Sequence, residues 1–298
     1  MKRNRGTRGL PRLGAVVAVV AVLALSSHAY GAAAQATPPP AAAPKATEKT
    51  TDAPKPEAPR PRQVEARADA LMREMSAFLA KQPRFALEAE ETLDEVYAGA
   101  PRIQFTNVRR AAVQRPARFA SDATGDTLNR SAWYDGKTIT ALEKDENTYL
   151  TVEMPGTIDA VLDKLADEYG IVVPLSDLVY SDPYTVLMEG VVYGEYRGIH
   201  LAAGVPCHHL AFSQEDIDWQ IWIDAGAQPL PRKLVITYAE EPGAPQYTAV
   251  IKRWSLEPKF TEELFHFVPP EGATSLTTAE PAPAPSASAS ATPPKEDK

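Results

Sequence analysis

The chain has 298 residues, 44% of them hydrophobic, with one cysteine and 39 acidic against 31 basic side chains. A single cysteine excludes an internal disulfide framework and any multi-cysteine zinc or iron–sulfur site. Residues 1–36 hold five basic side chains and no acid, so beyond them 26 basic face 39 acidic residues, a balance that argues against nucleic acid or an anionic membrane surface as the partner.

Residues 1–36 read as a cleavable secretory signal. A basic stretch over 1–12 precedes an apolar run of 12 residues over 14–25, and Ala-x-Ala options follow at Ala32/Ala34 and Ala34/Ala36. Twelve helical residues reach about 18 Å, short of the roughly 30 Å hydrocarbon core. This order predicts export to the periplasm, with no membrane span in the mature chain. No cysteine lies near the cleavage region, which excludes lipoprotein-type acylation there. Residues 37–62 carry eight prolines and residues 273–298 carry five. Both are expected to be disordered, the first a Pro/Ala-rich linker and the second a Pro/Ala/Ser-rich tail. The stretch 63–272 between them is long enough to bury a sizeable core as one domain.

A helix is predicted over 63–82, where Val64, Ala68, Leu71, Met75, Phe78 and Leu79 recur mostly at steps of three and four before Pro83. The period then changes to two. Phe85, Leu87, Ala89 and Leu93 alternate with Glu88, Glu90, Thr92 and Asp94, a strand with one solvated acidic face. Strands are expected over 102–114, 117–123, 133–142 and 149–154, joined by turn-like Arg115-Pro116, Asp135-Gly136 and Asp145-Glu146-Asn147. Thr157 can cap a helix over 158–169 that Gly170 stops, with an apolar face of Ile158, Val161, Leu162 and Leu165. One or two short helices follow over 174–189, with Pro183 in a first turn. Strands resume over 191–196, 205–213, 219–224, 230–238 and 247–254. The fold class is therefore α+β with a large antiparallel sheet. A sheet of about nine or ten strands curls strongly or closes, and the helices bury their apolar faces on its concave side.

Two local patterns accompany this order: "QRPARF" over 114–119, with a basic-Arg-Pro-x-x-Phe strand end, and "WYDGKTIT" over 133–140, with an Asp-Gly hairpin. Together they resemble the LolA-like superfamily of bacterial periplasmic carriers. "VPCHHLAF" over 205–212, "DWQIWID" over 218–224 and "PLPRKLVITY" over 229–238 look closer still to a family of predicted periplasmic proteins of unknown function, grouped with LolA by fold. The resemblance covers roughly 63–270. It implies a curved sheet forming an incomplete β-barrel with a helical lid. It also implies a carrier that holds an acyl chain, a lipid or a lipoprotein anchor. LolA proteins use a helix-anchoring arginine near the first strands, and no single residue here aligns with it.

Catalytic candidates are few. In Cys207-His208-His209, strand alternation lets Cys207 and His209 share a face while His208 points away. A zinc site would need a third ligand such as Asp216 or Asp218. The reading adopted is a buried cysteine beside a satisfied histidine pair. Glu88, Glu90 and Glu91 read mostly as a solvated outer face, and Arg102, Arg109, Arg110, Arg115 and Arg118 as outward residues balancing nearby acids. Trp133, Trp219, Trp222 and Trp254 fall on predicted strands and read as core or rim packing. No nucleophile elbow, metalloprotease helix, phosphate loop or calcium loop occurs. The expectation is a protein that is not an enzyme and has no cofactor or metal.

The candidate ligand-binding residues are Leu178, Tyr180, Tyr184, Leu187 and Met188 in the helical insert. The last four follow i, i+4, i+7, i+8 spacing, one apolar helix stripe. The competing reading of that stripe is ordinary core packing. The expected partner is a hydrophobic ligand under the lid. The alternative is an envelope protein bound through the sheet edge or the lid, with the cavity filled by the protein's own side chains.

Overall fold

The computed structural model describes residues 62–97, 99–173 and 175–276. The expected signal, nearly all of the linker and most of the tail lie outside the described residues.

The chain enters through a two-residue strand, β1 (Gln63–Val64), and helix α1 (Ala66–Ala80), where the sequence predicts one helix from 63. Strands β2 (Arg84–Glu95), β3 (Ile103–Gln114), β4 (Arg118–Gly125), β5 (Asn129–Tyr134), β6 (Thr138–Glu143) and β7 (Thr148–Glu153) follow as an antiparallel meander. The single strand expected over 133–142 is two strands. Gly136 adopts φ +95°, and Asp135 Oδ1 accepts the amides of Lys137 at 2.9 Å and Thr138 at 2.8 Å, which closes a hairpin there.

Helix α2 (Ile158–Tyr169), a 3-10 turn (Ser176–Leu178) and helix α3 (Pro183–Leu187) lead to the second half. There β8 (Tyr193–Ala202), β9 (Val205–Ser213), β10 (Ile217–Asp224), β11 (Pro231–Tyr238) and β12 (Gln246–Ser255) form a second meander. The halves join edge to edge because β12 pairs with β2, from Tyr247↔Leu93 to Ser255↔Ala86. The spatial order is β1-β8-β9-β10-β11-β12-β2-β3-β4-β5-β6-β7, ending on a short β13 (Thr274–Ser275). The two end pairs, β1 with β8 and β13 with β7, are parallel. The sheet is therefore mixed at its edges. It curls without closing, since its first and last strands do not pair: an incomplete barrel with helices on its concave face.

Those helices supply much of the core. α1 buries Ala68, Met72, Met75 and Leu79, and α2 buries Ile158, Val161, Leu162 and Leu165, in one cluster with Leu210, Ile221, Ile223 and Ile251 of the second half. Each such Leu, Ile, Val or Met side chain contributes roughly 1.5–3 kcal/mol. Gly194 on β8 is required by close approach, because a Cβ there would lie 2.5 Å from the Phe212 ring. α2 is well delimited. Thr157 Oγ1 accepts the Ala160 amide at 3.3 Å, and Gly170, at φ +66°, turns its own amide and that of Ile171 back onto the carbonyls of Ala166 and Leu165.

α3 is shorter than the predicted stripe. Asp182 caps it and Pro183 is its first residue, so Tyr180 lies before the helix and Met188 is its C-cap. Proline lacks the amide needed to continue the helix backward. On the convex face, the segment after β12 lays Phe265 against Ala112 and Ala120, and Phe267 lies 5.1 Å from Trp133 and 4.8 Å from Tyr149.

Candidate functional site

On β2–β7 the register aligns inward-facing side chains into three rows across the sheet. The first is large and apolar: Phe85, Val113, Phe119, Tyr134, Ile139 and Val152. The second is small in its middle: Leu87, Ala111, Ser121, Ala132, Ala141 and Leu150. The third carries charge: Ala89, Arg109, Ala123, Arg130, Glu143 and Thr148. α2 spans the concave side with Ile158, Leu162 and Leu165 facing the small row. Four small side chains in succession cannot reach the helix, and a cavity of about 120 Å³ remains between them. Val173, Leu175 and Val179 of the segment after α2 complete its wall.

The charged row bounds the cavity on one side. Arg109 donates through Nε and Nη2 to the two oxygens of Glu91, at 2.6 and 3.1 Å, and through Nη1 to Ser121 Oγ at 3.2 Å. Burial opposes the Arg109 charge, but the facing Glu91 carboxylate outweighs it and holds the guanidinium above its ordinary pKa. Arg130 pairs with Glu143 on the next strand. Burial pushes the Glu143 carboxyl up, with Arg130 opposing. Arg109 and Glu91 thus correct the sequence expectation that they face outward. Neighbours on a strand face opposite sides, so Glu90/Glu91 and Arg109/Arg110 each divide between the two faces. Arg110 and Glu88 do pair outside, at 2.9 Å, as do Arg118 and Glu262.

A fastening for the lid lies at the opposite end of β3. Arg115 Nη1 donates to the carbonyl of Val179, and Ile158 at the start of α2 donates its amide to the Pro116 carbonyl at 2.8 Å. Arg115 Nε and Nη2 have no hydrogen-bond partner among the described residues. Burial pulls this guanidinium below its ordinary pKa, partly offset by Asp159. Sequence reasoning read Arg115 as an outward residue, whereas its guanidinium reaches the segment after α2. The available signal was its place just before the proline of "QRPARF".

None of the five predicted site residues lines the cavity. Leu178, Tyr180, Leu187 and Met188 are buried in the core shared with α2, and Tyr184 packs half-buried against it. Their polar atoms join the helices. Tyr180 donates to Asp163 of α2 at 3.1 Å, and Tyr184 donates to Asp69 of α1 at 2.5 Å while accepting from Arg73 at 2.6 Å. Ser176, the first residue of the turn that holds Leu178, and Val179 just after it do line the cavity.

Cys207 is buried among Ala202, Trp222 and Val235 on the outer face, and burial pushes its thiol up, away from the thiolate a nucleophile needs. His209 stacks on Trp222 at 4.0 Å and bonds Gln220 at 3.0 Å, while His208 meets Tyr196 at 3.2 Å. Among the described residues no group of three or more His, Cys, Asp or Glu is placed to hold a metal ion. Trp219 stacks on Phe212 at 4.4 Å and Trp254 lies 5.6 Å from Phe85, so both pack with the core. No described helix is long and apolar enough to cross a membrane.

A family model described as "Predicted periplasmic protein (DUF2092)" matches residues 68–278. No curated protein matches the chain. Among solved structures, an uncharacterized conserved protein from Thermus thermophilus is similar at 10% identity and TM-score 0.42, covering 70% of this chain and 98% of its own. The lipoprotein LppX of Mycobacterium tuberculosis is similar at 13% and 0.38, covering 66% and 99%. A LolA superfamily protein from Nitrosomonas europaea is similar at 7% and 0.31, covering 67% and 97%.

Proposed function

This chain belongs to the DUF2092 family of predicted periplasmic proteins, and we propose that it is an exported, non-enzymatic carrier that holds a hydrophobic chain beneath α2. The observation that carries this reading is the unfilled space between the row of small side chains and the apolar face of α2. Close-packed interiors do not leave such space by default. An engineered apolar cavity of about 150 Å³ admits benzene. A cavity of about 120 Å³ therefore takes only a few carbons as it stands. A longer acyl chain, from a lipid or a lipoprotein anchor, enters as α2 and its return segment move away from the sheet. Arg115 then serves as the catch, and Leu178, Tyr180, Tyr184, Leu187 and Met188 serve as the packing that recloses the lid. Residues 1–36 act as the export signal in this reading.

The test is displacement of an apolar dye by long-chain amphiphiles on the purified protein. Wild type should bind saturably. Ala132→Leu, which fills the floor of the cavity, should weaken binding about tenfold or more while circular dichroism stays unchanged. Leu187→Asp should weaken it as well, through the lid. Absence of saturable binding by the wild type overturns the carrier reading.

One observation favours a second reading, a protein partner. β1 covers β8 only at Tyr193 and Gly194, and farther along that strand Ile199 is 50% and Leu201 71% exposed. An apolar strand edge of this kind accepts an extended segment of another chain.

A further inference from the structure

Resting on the carrier reading, we infer that the ligand is an anionic amphiphile whose carboxylate or phosphate head sits between Arg109 and Arg130, over Ala123, with its tail along the small row. The register sets this geometry. Arg109, Ala123 and Arg130 stand opposite one another on three adjacent strands. At about 4.8 Å per strand their backbones are roughly 10 Å apart, with a methyl group between them. Two long cationic side chains therefore flank a gap whose floor is a single alanine, and both line the cavity together with Ser121.

The counter-charges stand on the outer sides of this pair. Glu91 comes from β2 and Glu143 from β6, so each carboxylate holds its arginine from the side away from the gap. Arginine has five donors; in Arg109 two go to Glu91 and one to Ser121, which leaves two for an oxyanion. Packing alone does not explain the two ion pairs. Taking four charges into a concave apolar face is costly, and hydrophobic residues of similar volume are often as stable or more so. The rows supply the other half of the match. From Arg109 to Val113 along β3 the lining passes from charged to small to large apolar, over four residues and about 13 Å. A charged head and a hydrocarbon tail have the same polarity profile.

The experiment compares three ligands with the same tail, laurate, dodecyl phosphate and 1-dodecanol, by dye displacement on the purified protein. The expected result is that at least one anion displaces the dye at about tenfold or more lower concentration than the alcohol. The better anion identifies the head as carboxylate or phosphate. In Arg130→Met/Glu143→Met, which removes a pair together and leaves no unpartnered carboxylate, the anion preference should fall to about one. Arg109→Met/Glu91→Met should do the same, and either double variant suffices if the other fails to fold. Saturable binding in which the alcohol equals both anions on wild type overturns the anionic head and leaves the carrier standing. An anion preference that survives both double variants also overturns this placement. If none of the three ligands binds, it is the carrier reading that fails.

Discussion

Arg115 ties the segment after α2 to the end of β3 through a single side chain. Its guanidinium is desolvated and gives one bond to the Val179 carbonyl, while two of its nitrogens have no hydrogen-bond partner among the described residues. Loss of one bond from a charged group costs about 1.5–3 kcal/mol, and relief of the desolvation offsets much of it. Arg115→Met should therefore change the global unfolding free energy by less than about 1 kcal/mol. The same substitution should speed hydrogen exchange at the Leu178 and Val179 amides by about 2- to 10-fold, since local opening there no longer breaks the bond. Unchanged exchange at those amides would mean that Arg115 is no catch. The sequence made Arg115 visible, inside a quoted motif, but not its direction. Alternation assigns faces only once the register is known. Arg109 and Arg110 are indistinguishable as letters, yet one lines the cavity and the other pairs with Glu88 outside.

The helices were the most legible elements. Helix α2 runs over the predicted residues with the predicted cap and stop, because apolar spacing, Thr157 and Gly170 all act locally. α3 was less so, since Pro183 cuts the stripe short and the contacts of Tyr184 are tertiary. Those contacts make the α1–α3 joint acid-sensitive. Burial would raise the Asp69 carboxyl, but hydrogen bonds from Tyr184 and Arg73 outweigh it and hold the group below its ordinary 3.8. A carboxyl with a depressed folded pKa contributes stability above its unfolded value, and that contribution is lost as pH falls through the folded one. The joint should therefore hold at pH 5–7 and weaken below about pH 3.8. Thermal melts of wild type and Asp69→Asn should differ at pH 6 and converge as the pH drops toward 2. A constant difference across that range would show that the Asp69 charge does not tie α1 to α3.

Across the whole molecule, the large curled sheet was readable from the two runs of alternating residues, although about ten strands were expected and thirteen are found, whereas the cavity was not readable. It depends on Ala111, Ser121, Ala132 and Ala141 falling opposite one another, and three hairpins set that alignment. The same topology also has a temporal consequence. The seam at the middle of the sheet pairs Leu87 with Trp254, so one of the earliest strands made waits for one of the last. Until β12 arrives, β2 keeps a row of unpaired backbone groups, and so does β11 on the other side of the seam. Non-local pairing of this kind slows folding and leaves the unfinished chain prone to association. A chain truncated after Tyr238 should keep eleven of the strands, β1 to β11, and still fail to become a soluble monomer. Sedimentation should find it in aggregates or bound to a chaperone, and a monodisperse truncated species would contradict this. For a protein that emerges N-terminus first, the sheet is therefore joined only once β12 has emerged, and until then that early edge must be kept covered by other means.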